Sequence, residues 1–315
     1  MNKLTTLFLA LLLSCSLSAQ RLYVGTYNIR YNNPNDEKEG NAWTQRCSHL
    51  CDFINFEQPE IFGTQEVLAD QLHDLMKGLD GYGYIGVGRD DGKEKGEYAA
   101  IFYKKNQLSL LDSGNFWLSP TPERASLGWD AACIRICTWG KFQDKVSGKQ
   151  FYFFNTHMDH VGTVARRESA QLILKRINQL SKGLPTILTG DFNVDQTDEI
   201  YQIFSNSGVL RDCYTNALQR MTPTGTWNDF MQDSRSKSRI DHIFVSSDFK
   251  VPHYAIFTNS YWLGKSRRNI SDHYPVMVKL IFDKIRLLQN DTHLLYTNTI
   301  EIELDYLITQ ARFQL

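Results

Sequence analysis

The chain of 315 residues has a formal net charge of -1, and 42% of its residues are hydrophobic and 12% aromatic. This composition allows one large domain or two ordinary ones and excludes a chain that is disordered throughout. It lacks the excess of Lys and Arg that follows a long nucleic-acid backbone. This weakens a polymer nuclease without excluding it, because a local basic patch can exist within a neutral total.

Residues 1–19 have the pattern of a secretory signal peptide. Lys3 provides the positive start, residues 4–13 are a short apolar stretch, and Ser18 and Ala19 are small residues suited to cleavage. The stretch is too short to span a bilayer, which needs roughly 20 residues. A buried N-terminal helix is the structural alternative. Cys15 also follows a run that resembles a bacterial lipoprotein cleavage site, so either free export or lipidation at Cys15 takes the protein out of the cytoplasm.

Hydrophobic periodicity predicts alternating strands and helices in the first half of the chain. Trp43, Cys47 and Leu50 recur at helical spacing, and the pattern ends at Pro59. In chain order we predict a strand over 22–27, a polar loop over 30–41, a helix over 43–54, a strand over 61–64, a helix over 69–79, a Gly-rich hairpin or loop over 81–96 and a strand over 98–103.

The second half continues the alternation. We predict a long loop before a strand over 134–142, then a strand over 150–156, a helix over 164–180, a strand over 186–189, a helix over 199–205 and strands over 240–246 and 276–281. Since no Gly-, Ser- or Pro-rich linker divides the chain, we predict one α/β domain over 20–283. The tail over 284–315 has a rough apolar alternation typical either of an extra strand or of a disordered end, and no function follows from it.

The cysteines do not indicate a metal site. Removal of residues 1–19 leaves five, and an odd number means that at least one thiol has no internal partner. Cys47 and Cys51 share a helical face and Cys133 and Cys137 lie in a strand-like run, which is not the loop spacing of a zinc site. Small buried hydrophobic side chains are therefore favoured over disulfides or metal ligands.

Short polar motifs follow the apolar runs at six places in the chain. Their positions are 26–30, 65–66, 155–160, 190–193, 239–242 and 271–275. A buried strand that ends in carboxylates and imidazoles usually delivers them to a shared cleft at the edge of a sheet. The motifs therefore predict a metal-assisted hydrolytic site.

In this order the six motifs resemble the endonuclease/exonuclease/phosphatase superfamily, which includes pancreatic-type DNases, apurinic endonucleases, inositol polyphosphate phosphatases, bacterial sphingomyelinases and nocturnin-type deadenylases. The resemblance covers roughly residues 21–282. It implies a DNase-like four-layer α/β sandwich, in which two mixed β-sheets lie face to face with helices outside. Segments 128–132 and 135–140 resemble an exported bacterial subgroup, and no loop helices of the kind that apurinic nucleases insert into DNA are recognisable.

The resemblance also implies a metal site built from oxygen ligands. Hydrolysis of a phosphate ester requires neutralised phosphate oxygens, an aligned water and help for the departing alkoxide. Oxygen ligands suit Mg²⁺ or Mn²⁺. Glu66 is the expected principal ligand, and Asn28 and Asp272 are expected to supply further oxygens.

The same pattern implies roles for five catalytic residues. Asp191 orients or deprotonates the attacking water and Asn193 holds that water or a phosphate oxygen, unless the two form only a local Asx-turn. Asp241 pairs with His273 and fixes its tautomer. His273 acts either as general base or as a cation beside phosphorus. His157 donates a hydrogen bond to the scissile phosphate or the leaving oxygen.

Other polar residues are assigned more general roles. Asp159 either borders the pocket or anchors its own loop, and a structural role is expected for His49, His73, His160, His242 and His253. Segments 89–93, 97–98, 124–130 and 226–227 carry charged and aromatic residues that either grip a phosphorylated ligand or only pack.

Three functional hypotheses follow. The first is an exported Mg²⁺- or Mn²⁺-dependent phosphoesterase that cleaves a phosphodiester or phosphomonoester, such as a nucleotide, a phospholipid headgroup or a phosphorylated sugar. The second is a secreted nuclease that degrades DNA or RNA. The third is a binding module that keeps the fold without catalysis.

Overall fold

The computed structural model describes residues 21–283. The predicted signal peptide, Cys15 and the tail over 284–315 lie outside the described residues. The compact unit ends at Phe282, and the architecture below is that of residues 21–282. Among the described helices, none is long and apolar enough to cross a membrane.

The described residues form fifteen strands and six helices. The strands are β1 (Arg21–Asn28), β2 (Ile61–Gln65), β3 (Tyr82–Ile85), β4 (Ile101–Lys104), β5 (Leu108–Trp117), β6 (Ile136–Asp144), β7 (Gln150–His157), β8 (Thr186–Asp191), β9 (Arg211–Asp212), β10 (Ala217–Met221), β11 (Asp241–Val245), β12 (Phe249–Ile256), β13 (Ser260–Leu263), β14 (Ser266–Asn269) and β15 (Val276–Phe282). The helices are α1 (Pro34–Lys38), α2 (Trp43–Glu57), α3 (Ala69–Gly78), α4 (Thr163–Ser181), α5 (Glu199–Ser205) and α6 (Cys213–Asn216).

Two mixed sheets lie face to face. The first has the strand order β10-β12-β15-β1-β2-β4-β3, the second has the order β5-β6-β7-β8-β11-β9, and β13 and β14 form a separate hairpin. Across the interface β1 contacts β8, and β2 contacts both β7 and β8. The pairs β1–β2 and β7–β8 are parallel. All four strands end on the same side of the sandwich, because Asn28 at the end of β1 bonds to Asp191 at the end of β8.

Helices cover the outer faces of both sheets. Apolar side chains of α2 and α3, among them Leu50 and Leu75, pack with Phe62 of the first sheet. On the other side Ile173 of α4 packs with Phe154 and its neighbours in the second sheet. Strands β2 and β8 are buried along their whole length, as expected for strands covered on both faces. The predicted four-layer α/β sandwich is confirmed.

A buried polar cluster joins the two sheets just below the ends of β2, β7 and β8. Asn155 of β7 donates from Nδ2 to the main-chain carbonyls of Thr64 (2.8 Å) and Ala100 (3.0 Å). Its Oδ1 accepts from Gln65 Nε2 (2.7 Å) and Thr189 Oγ1 (3.0 Å). We call these five residues the sheet-crossing cluster. It sets the alignment of one sheet on the other, because most buried polar groups must keep a partner.

Gly63 leaves the space that this cluster occupies. A Cβ at Gly63 would overlap the side-chain amide of Asn155 and the hydroxyl of Thr189. The glycine in β2 therefore permits a close approach between strands of opposite sheets, which is a typical use of glycine inside a strand.

Several elements differ from the sequence-based predictions. The predicted loop over 30–41 contains α1, which Asn33 caps and Pro34 begins. The segment over 81–96, predicted as a hairpin or loop, begins with β3, which pairs antiparallel with β4 as in a hairpin. Strand β5 was not predicted, because its exposed middle and its irregular register near Leu110 break the apolar alternation. Strand β12 was also missed, since it contains Pro252 at a register shift, where proline is tolerated in a sheet.

Candidate active site

The predicted motifs meet in one cleft of about 560 Å³ at the end of the sandwich where β1, β2, β7 and β8 stop. The predicted residues that line it are Glu66, His157, Asp191, Asn193, Asp272 and His273. Asn28 and Asp241 are fully buried and bond to these lining residues. Glu66 and Asp272, which the metal hypothesis requires on the same side, are therefore at the same end of the molecule.

Asn28 joins the two carboxylates that follow strands of opposite sheets. Its Nδ2 donates to Glu66 Oε1 and to Asp191 Oδ2, each at 3.0 Å. Its Oδ1 accepts from the main-chain N–H of Arg30 at 3.0 Å. The Asn28 amide thus orients Glu66 and Asp191 relative to each other.

Backbone conformation aims three motif residues at the cleft. Glu66, directly after β2, has φ 62°, and Arg30 and Asn193 have φ 58° and 51°. Left-handed conformations are uncommon for residues other than glycine and persist where the surrounding structure imposes them, often at functional sites. In Glu66 the turn leaves Oε2 to accept from the main-chain N–H of Tyr31 at 3.2 Å.

His157 and Asp191 end adjacent parallel strands and are paired in register. His157 Nε2 lies 3.6 Å from Asp191 Oδ2. Burial, with the charge of Arg135, lowers the pKa of His157 to about 3. The imidazole is therefore neutral near pH 7, and its buried Nδ1 has no hydrogen-bond partner among residues 21–283.

Asp241 and His273 form the predicted pair. Asp241 begins β11 opposite Asp191 in the antiparallel ladder. His273 Nδ1 donates to Asp241 Oδ2 at 2.8 Å, which leaves Nε2 at 3.8 Å from Asp191 Oδ2. Burial acts to lower the pKa of His273, but the charges of Asp241 and Asp191 outweigh it and raise this pKa well above its ordinary value.

The carboxylates of the cleft crowd one another. Burial, followed by the charge of Asp241, raises the pKa of Asp191. Burial raises the pKa of Asp272 to about 6, with a further contribution from Glu66. Like charges that are held together in a desolvated site favour a bound cation.

The donor atoms fit a hard divalent cation. Ligand atoms of Glu66, His157 and Asp191 lie within 4.8 Å of one another, and so do those of Asp191, Asp241 and His273. Asp241 Oδ1 is buried without a hydrogen-bond partner in the described part of the chain. Oxygen-rich sites of this kind suit Mg²⁺ or Mn²⁺.

Asn193 forms the local Asx-turn considered for it. Its main-chain N–H donates to Asp191 Oδ1 at 2.9 Å, which is the local Asx-turn, and its Nδ2 donates to the carbonyl of Met158 at 2.9 Å. It also lines the cleft. The turn therefore fixes the loop and holds the side chain beside Asp191.

Arg46 positions the site and was not predicted. This fully buried residue of α2 donates to the main-chain carbonyls of Ile29 (2.7 Å), Arg30 (3.2 Å) and Ile270 (3.1 Å). It therefore holds together the loop that follows Asn28 and the loop that carries Asp272. The one sequence signal is its spacing of four from Leu50, which places a charged residue on the apolar helix face.

A second group of cleft residues was predicted in part: Arg89 and Glu97 lie in segments named as possible ligand contacts, whereas Arg135 was not assigned to the site and His160 was expected to be structural. We call Arg89, Glu97, Arg135 and His160 the arginine wall. Arg89 binds Glu97 through both terminal nitrogens (2.6 and 3.0 Å). Arg135 Nη2 lies 2.8 Å from His160 Nδ1. The structural role expected for His160 does not explain why its side chain lines the cleft. Its place there depends on the contact with Arg135, which the sequence pattern does not indicate.

Asp159 anchors its own loop, the second of the two roles considered for it. It accepts from the main-chain N–H groups of Val161 (3.0 Å) and Gly162 (2.7 Å) and from Arg135 Nε (3.2 Å). Main-chain hydrogen bonds and the charge of Arg135 outweigh burial and lower its pKa. With its oxygens used in this way, Asp159 supports the arginine wall from behind.

His242 has the structural role expected of it. Its Nε2–H donates to the carbonyl of Val194 at 2.9 Å, and its ring packs against Phe192, Tyr201 and Phe244. Burial lowers the pKa of His242 to about 4.

The described cysteines are free thiols: Cys47, Cys51, Cys133, Cys137 and Cys213.

Comparison with known proteins connects this site to a family. Residues 25–273 match the Endonuclease/Exonuclease/phosphatase family. Among solved structures, an endonuclease/exonuclease/phosphatase family protein of Bacteroides thetaiotaomicron is 46% identical, with a TM-score of 0.83, and the match covers 85% of this chain and 100% of that chain. The mannosyl-6-phosphatase of Bacteroides thetaiotaomicron VPI-5482 is 47% identical, with a TM-score of 0.82, over 83% of this chain and 100% of that one.

Curated relatives are more distant. Human nocturnin is 25% identical over 230 residues, which is 66% of this chain and 50% of nocturnin. The chain therefore spans about half the length of this relative.

Proposed function

Because the chain belongs to the endonuclease/exonuclease/phosphatase family, whose members hydrolyse phosphate esters, we propose that it is a divalent-metal-dependent phosphomonoesterase acting on a phosphorylated sugar. One observation carries the chemistry: Glu66, His157, Asp191 and the Asp241–His273 pair meet in a single cleft. The sugar phosphate is supported by the similarity to the mannosyl-6-phosphatase, which extends over 100% of that protein.

Glu66 would hold Mg²⁺ or Mn²⁺, with Asp272 adding negative charge on the same side of the cleft. Asn28 keeps the Glu66 carboxylate in place by donating to its Oε1. When bound, such an ion neutralises phosphate oxygens and stabilises the departing alkoxide.

The protein's own residues orient and activate the attacking water. Asp191 Oδ2 lies close to Nε2 of both His157 and His273. A water beside Asp191 can lose a proton to this carboxylate while the water oxygen attacks phosphorus. Asp241 fixes His273 with its Nε2 toward the reacting atoms. The raised pKa of His273 supports the second of its two predicted roles, a cation that stabilises negative charge at phosphorus. Neutral His157 donates an N–H to a phosphate oxygen.

A substrate panel tests the proposal. Phosphate release is measured from mannose 6-phosphate, p-nitrophenyl phosphate and bis(p-nitrophenyl) phosphate, and cleavage of plasmid DNA and RNA is followed on gels. Each substrate is incubated with Mg²⁺, with Mn²⁺ and with EDTA. We expect the sugar phosphate to be cleaved with the highest kcat/KM and EDTA to abolish the reaction until metal is restored.

Glu66→Gln is the matched variant, with Glu94→Gln on an exposed loop as its control. Loss of activity in Glu66→Gln alone supports the assignment. Activity that resists EDTA, or that survives in Glu66→Gln, contradicts it. Faster cleavage of nucleic acid than of the monoesters would establish the secreted-nuclease alternative, and failure to bind a divalent metal or to cleave any ester would revive the binding module.

Export is a separate part of the proposal, supported by the signal-like pattern of residues 1–19 and the lipoprotein-like run before Cys15. Cell fractionation followed by mass spectrometry of the N-terminus tests it. A mature protein that begins at Gln20 indicates free export, and a lipidated Cys15 indicates membrane anchoring. A cytoplasmic protein that retains residues 1–19 contradicts export.

A further inference from the structure

Hydrogen-bond chemistry determines which ring nitrogen of His160 carries the proton. The Arg135 guanidinium can only donate, so His160 Nδ1, at 2.8 Å from Arg135 Nη2, must accept. The ring proton of the neutral imidazole is then on Nε2. Since His160 is exposed and lines the cleft, this side chain offers an N–H of fixed tautomer to whatever occupies the cleft.

The partners of His160 are held rigidly before any ligand binds. Arg135 is 4% exposed and Asp159 is 1% exposed. Asp159 binds Arg135 Nε and also accepts from the main-chain N–H of Ala132 at 3.2 Å and of Gly162 at 2.7 Å. This chain of contacts joins two loops that are distant in sequence. A donor on such a support loses little conformational entropy when it binds, which is how preorganised sites gain affinity and selectivity.

The arginine wall adjoins the reaction centre. Glu97 Oε2 is 3.6 Å from Nδ1 of His157, the residue whose other nitrogen lies beside Asp191. Arg89 and Arg135 line the same space next to His157. A phosphate held by the catalytic residues therefore places its ester oxygen and the attached alcohol within reach of the wall.

The charges of the wall suit a neutral alcohol better than a second anion. Each arginine that lines the described cleft already contacts a carboxylate: Arg30 contacts Asp36, Arg89 contacts Glu97 and Arg135 contacts Asp159. A polyanion requires cations that are not already compensated. With Asp159 behind Arg135, each guanidinium of the wall is balanced by a carboxylate, and such neighbouring donors and acceptors match hydroxyl groups, each of which donates one hydrogen bond and accepts others.

An aromatic side chain also lines the cleft. Trp227 is 42% exposed, and its main chain pairs with that of His273. Indole rings pack well on apolar faces and retain a polar edge. Trp227 therefore suits contact with a ring that carries hydroxyl groups on its rim and C–H groups on its face.

We propose that the arginine wall is the specificity-determining subsite for the sugar part of the substrate, in which His160 Nε2–H and Arg135 donate to sugar hydroxyls and Glu97 accepts from them. This inference rests on the proposed function, because it assigns the alcohol side of the same phosphate ester. It explains how a site with common phosphoesterase chemistry selects a polyhydroxylated leaving group.

A selectivity ratio tests the subsite. The ratio is kcat/KM for mannose 6-phosphate divided by kcat/KM for p-nitrophenyl phosphate, whose leaving group has no sugar hydroxyls. In His160→Ala we expect the ratio to fall about tenfold or more, since a site built to bind a hydroxyl discriminates through that hydrogen bond. His160→Gln, which retains an N–H donor, should recover part of the ratio. His253→Ala, an exposed histidine of β12, is the control and should leave it unchanged.

An unchanged ratio overturns the subsite, whether kcat/KM stays the same or falls equally for both substrates. A binding measurement separates this result from failure of the proposed function. Calorimetry gives the affinities of the Mg²⁺-loaded protein for mannose 6-phosphate and for inorganic phosphate. A preference for the sugar phosphate that His160→Ala removes supports the subsite even if the wild type cleaves no ester. Equal affinities in the wild type overturn the subsite even if the enzyme is an active phosphatase.

Discussion

Two buried polar regions lie next to each other on the same strands, and they are built in opposite ways. In the sheet-crossing cluster the side chains are uncharged, and both polar atoms of the Asn155 amide have partners. One or two residues further along β2, β7 and β8, the cleft gathers Glu66, His157 and Asp191. There the groups are ionisable and atoms such as His157 Nδ1 and Asp241 Oδ1 are buried without partners in residues 21–283.

The difference separates structural polar groups from functional ones. A satisfied neutral network stabilises the fold, because removing a member leaves its buried partners unpaired. Crowded carboxylates without full compensation destabilise the fold and are typical of ligand sites. One atom of the sheet-crossing cluster departs from this division: Gln65 Oε1 is buried and lacks a partner among the described residues.

The largest expected effect comes from Asp241→Asn in the cleft. The Asn oxygen can still accept from His273 Nδ1, so the geometry is kept while one charge is lost. We expect kcat/KM to fall roughly 10³- to 10⁴-fold, or about 4–5.5 kcal/mol. The free energy of unfolding should change little, because the relieved repulsion with Asp191 offsets the weaker interaction with charged His273. Steady-state kinetics and urea unfolding measure the two quantities.

The same variant has a signed pH effect. The charge of Asp241 helps to raise the pKa of His273, so Asp241→Asn should lower this pKa. Because activity requires charged His273, the variant should lose activity at a lower pH than the wild type as the pH rises. Near-normal activity, or a stability loss of several kcal/mol, would show that Asp241 belongs to the structural class.

Asn155→Ala is the counterpart in the sheet-crossing cluster. It leaves the carbonyls of Thr64 and Ala100 and the donors of Gln65 and Thr189 with fewer partners. We expect the free energy of unfolding to fall by about 4 kcal/mol. The loss in kcat/KM of the folded protein should be much smaller than in Asp241→Asn. Equal stability of variant and wild type in urea unfolding would refute the structural role.

His242→Phe compares a structural histidine with those of the cleft. The pKa of folded His242 is about 4, below the ordinary value of about 6.5. As the pH falls, His242 binds a proton in the unfolded chain before it does so in the folded protein. The contribution of neutral His242 to the free energy of unfolding is therefore fully present above pH 6.5 and is lost as the pH falls toward 4. The wild type should therefore lose about 3 kcal/mol more than His242→Phe between pH 7 and pH 4.

Unfolding free energies at both pH values decide this prediction, independently of the constant offset caused by losing the bond to Val194. His253→Phe is the control, because His253 is exposed. Identical pH dependence in His242→Phe and wild type would contradict a neutral buried imidazole.

Thr189→Val gives the smallest expected effect. It removes one hydroxyl from the sheet-crossing cluster, while Gln65 still donates to Asn155 Oδ1. We expect a loss of about 1 kcal/mol in the free energy of unfolding, measured by urea unfolding. Although Asp191 lies two residues away on the same strand, kcat/KM should be unchanged. A marked fall in activity would show that the two regions are coupled.

Much of the fold was predictable because its signals are local. Strands β2, β7 and β8 read as apolar runs, and the helical spacing over 164–180 corresponds to α4 (Thr163–Ser181). Strands β5 and β12 were not predictable in this way. Exposed residues, bulges and Pro252 remove the local pattern, and pairing with neighbouring strands restores the extended conformation.

The sequence by itself determined the family, the order of the motifs and the residues that end each buried strand, because each of these is written in a few consecutive positions. The tertiary structure alone decided how they are connected. Arg46 bonds to a carbonyl 224 positions away, and Arg135 orients His160 from 25 positions away. Such contacts depend on which loops the packed sheets bring together, so no local sequence pattern predicts them.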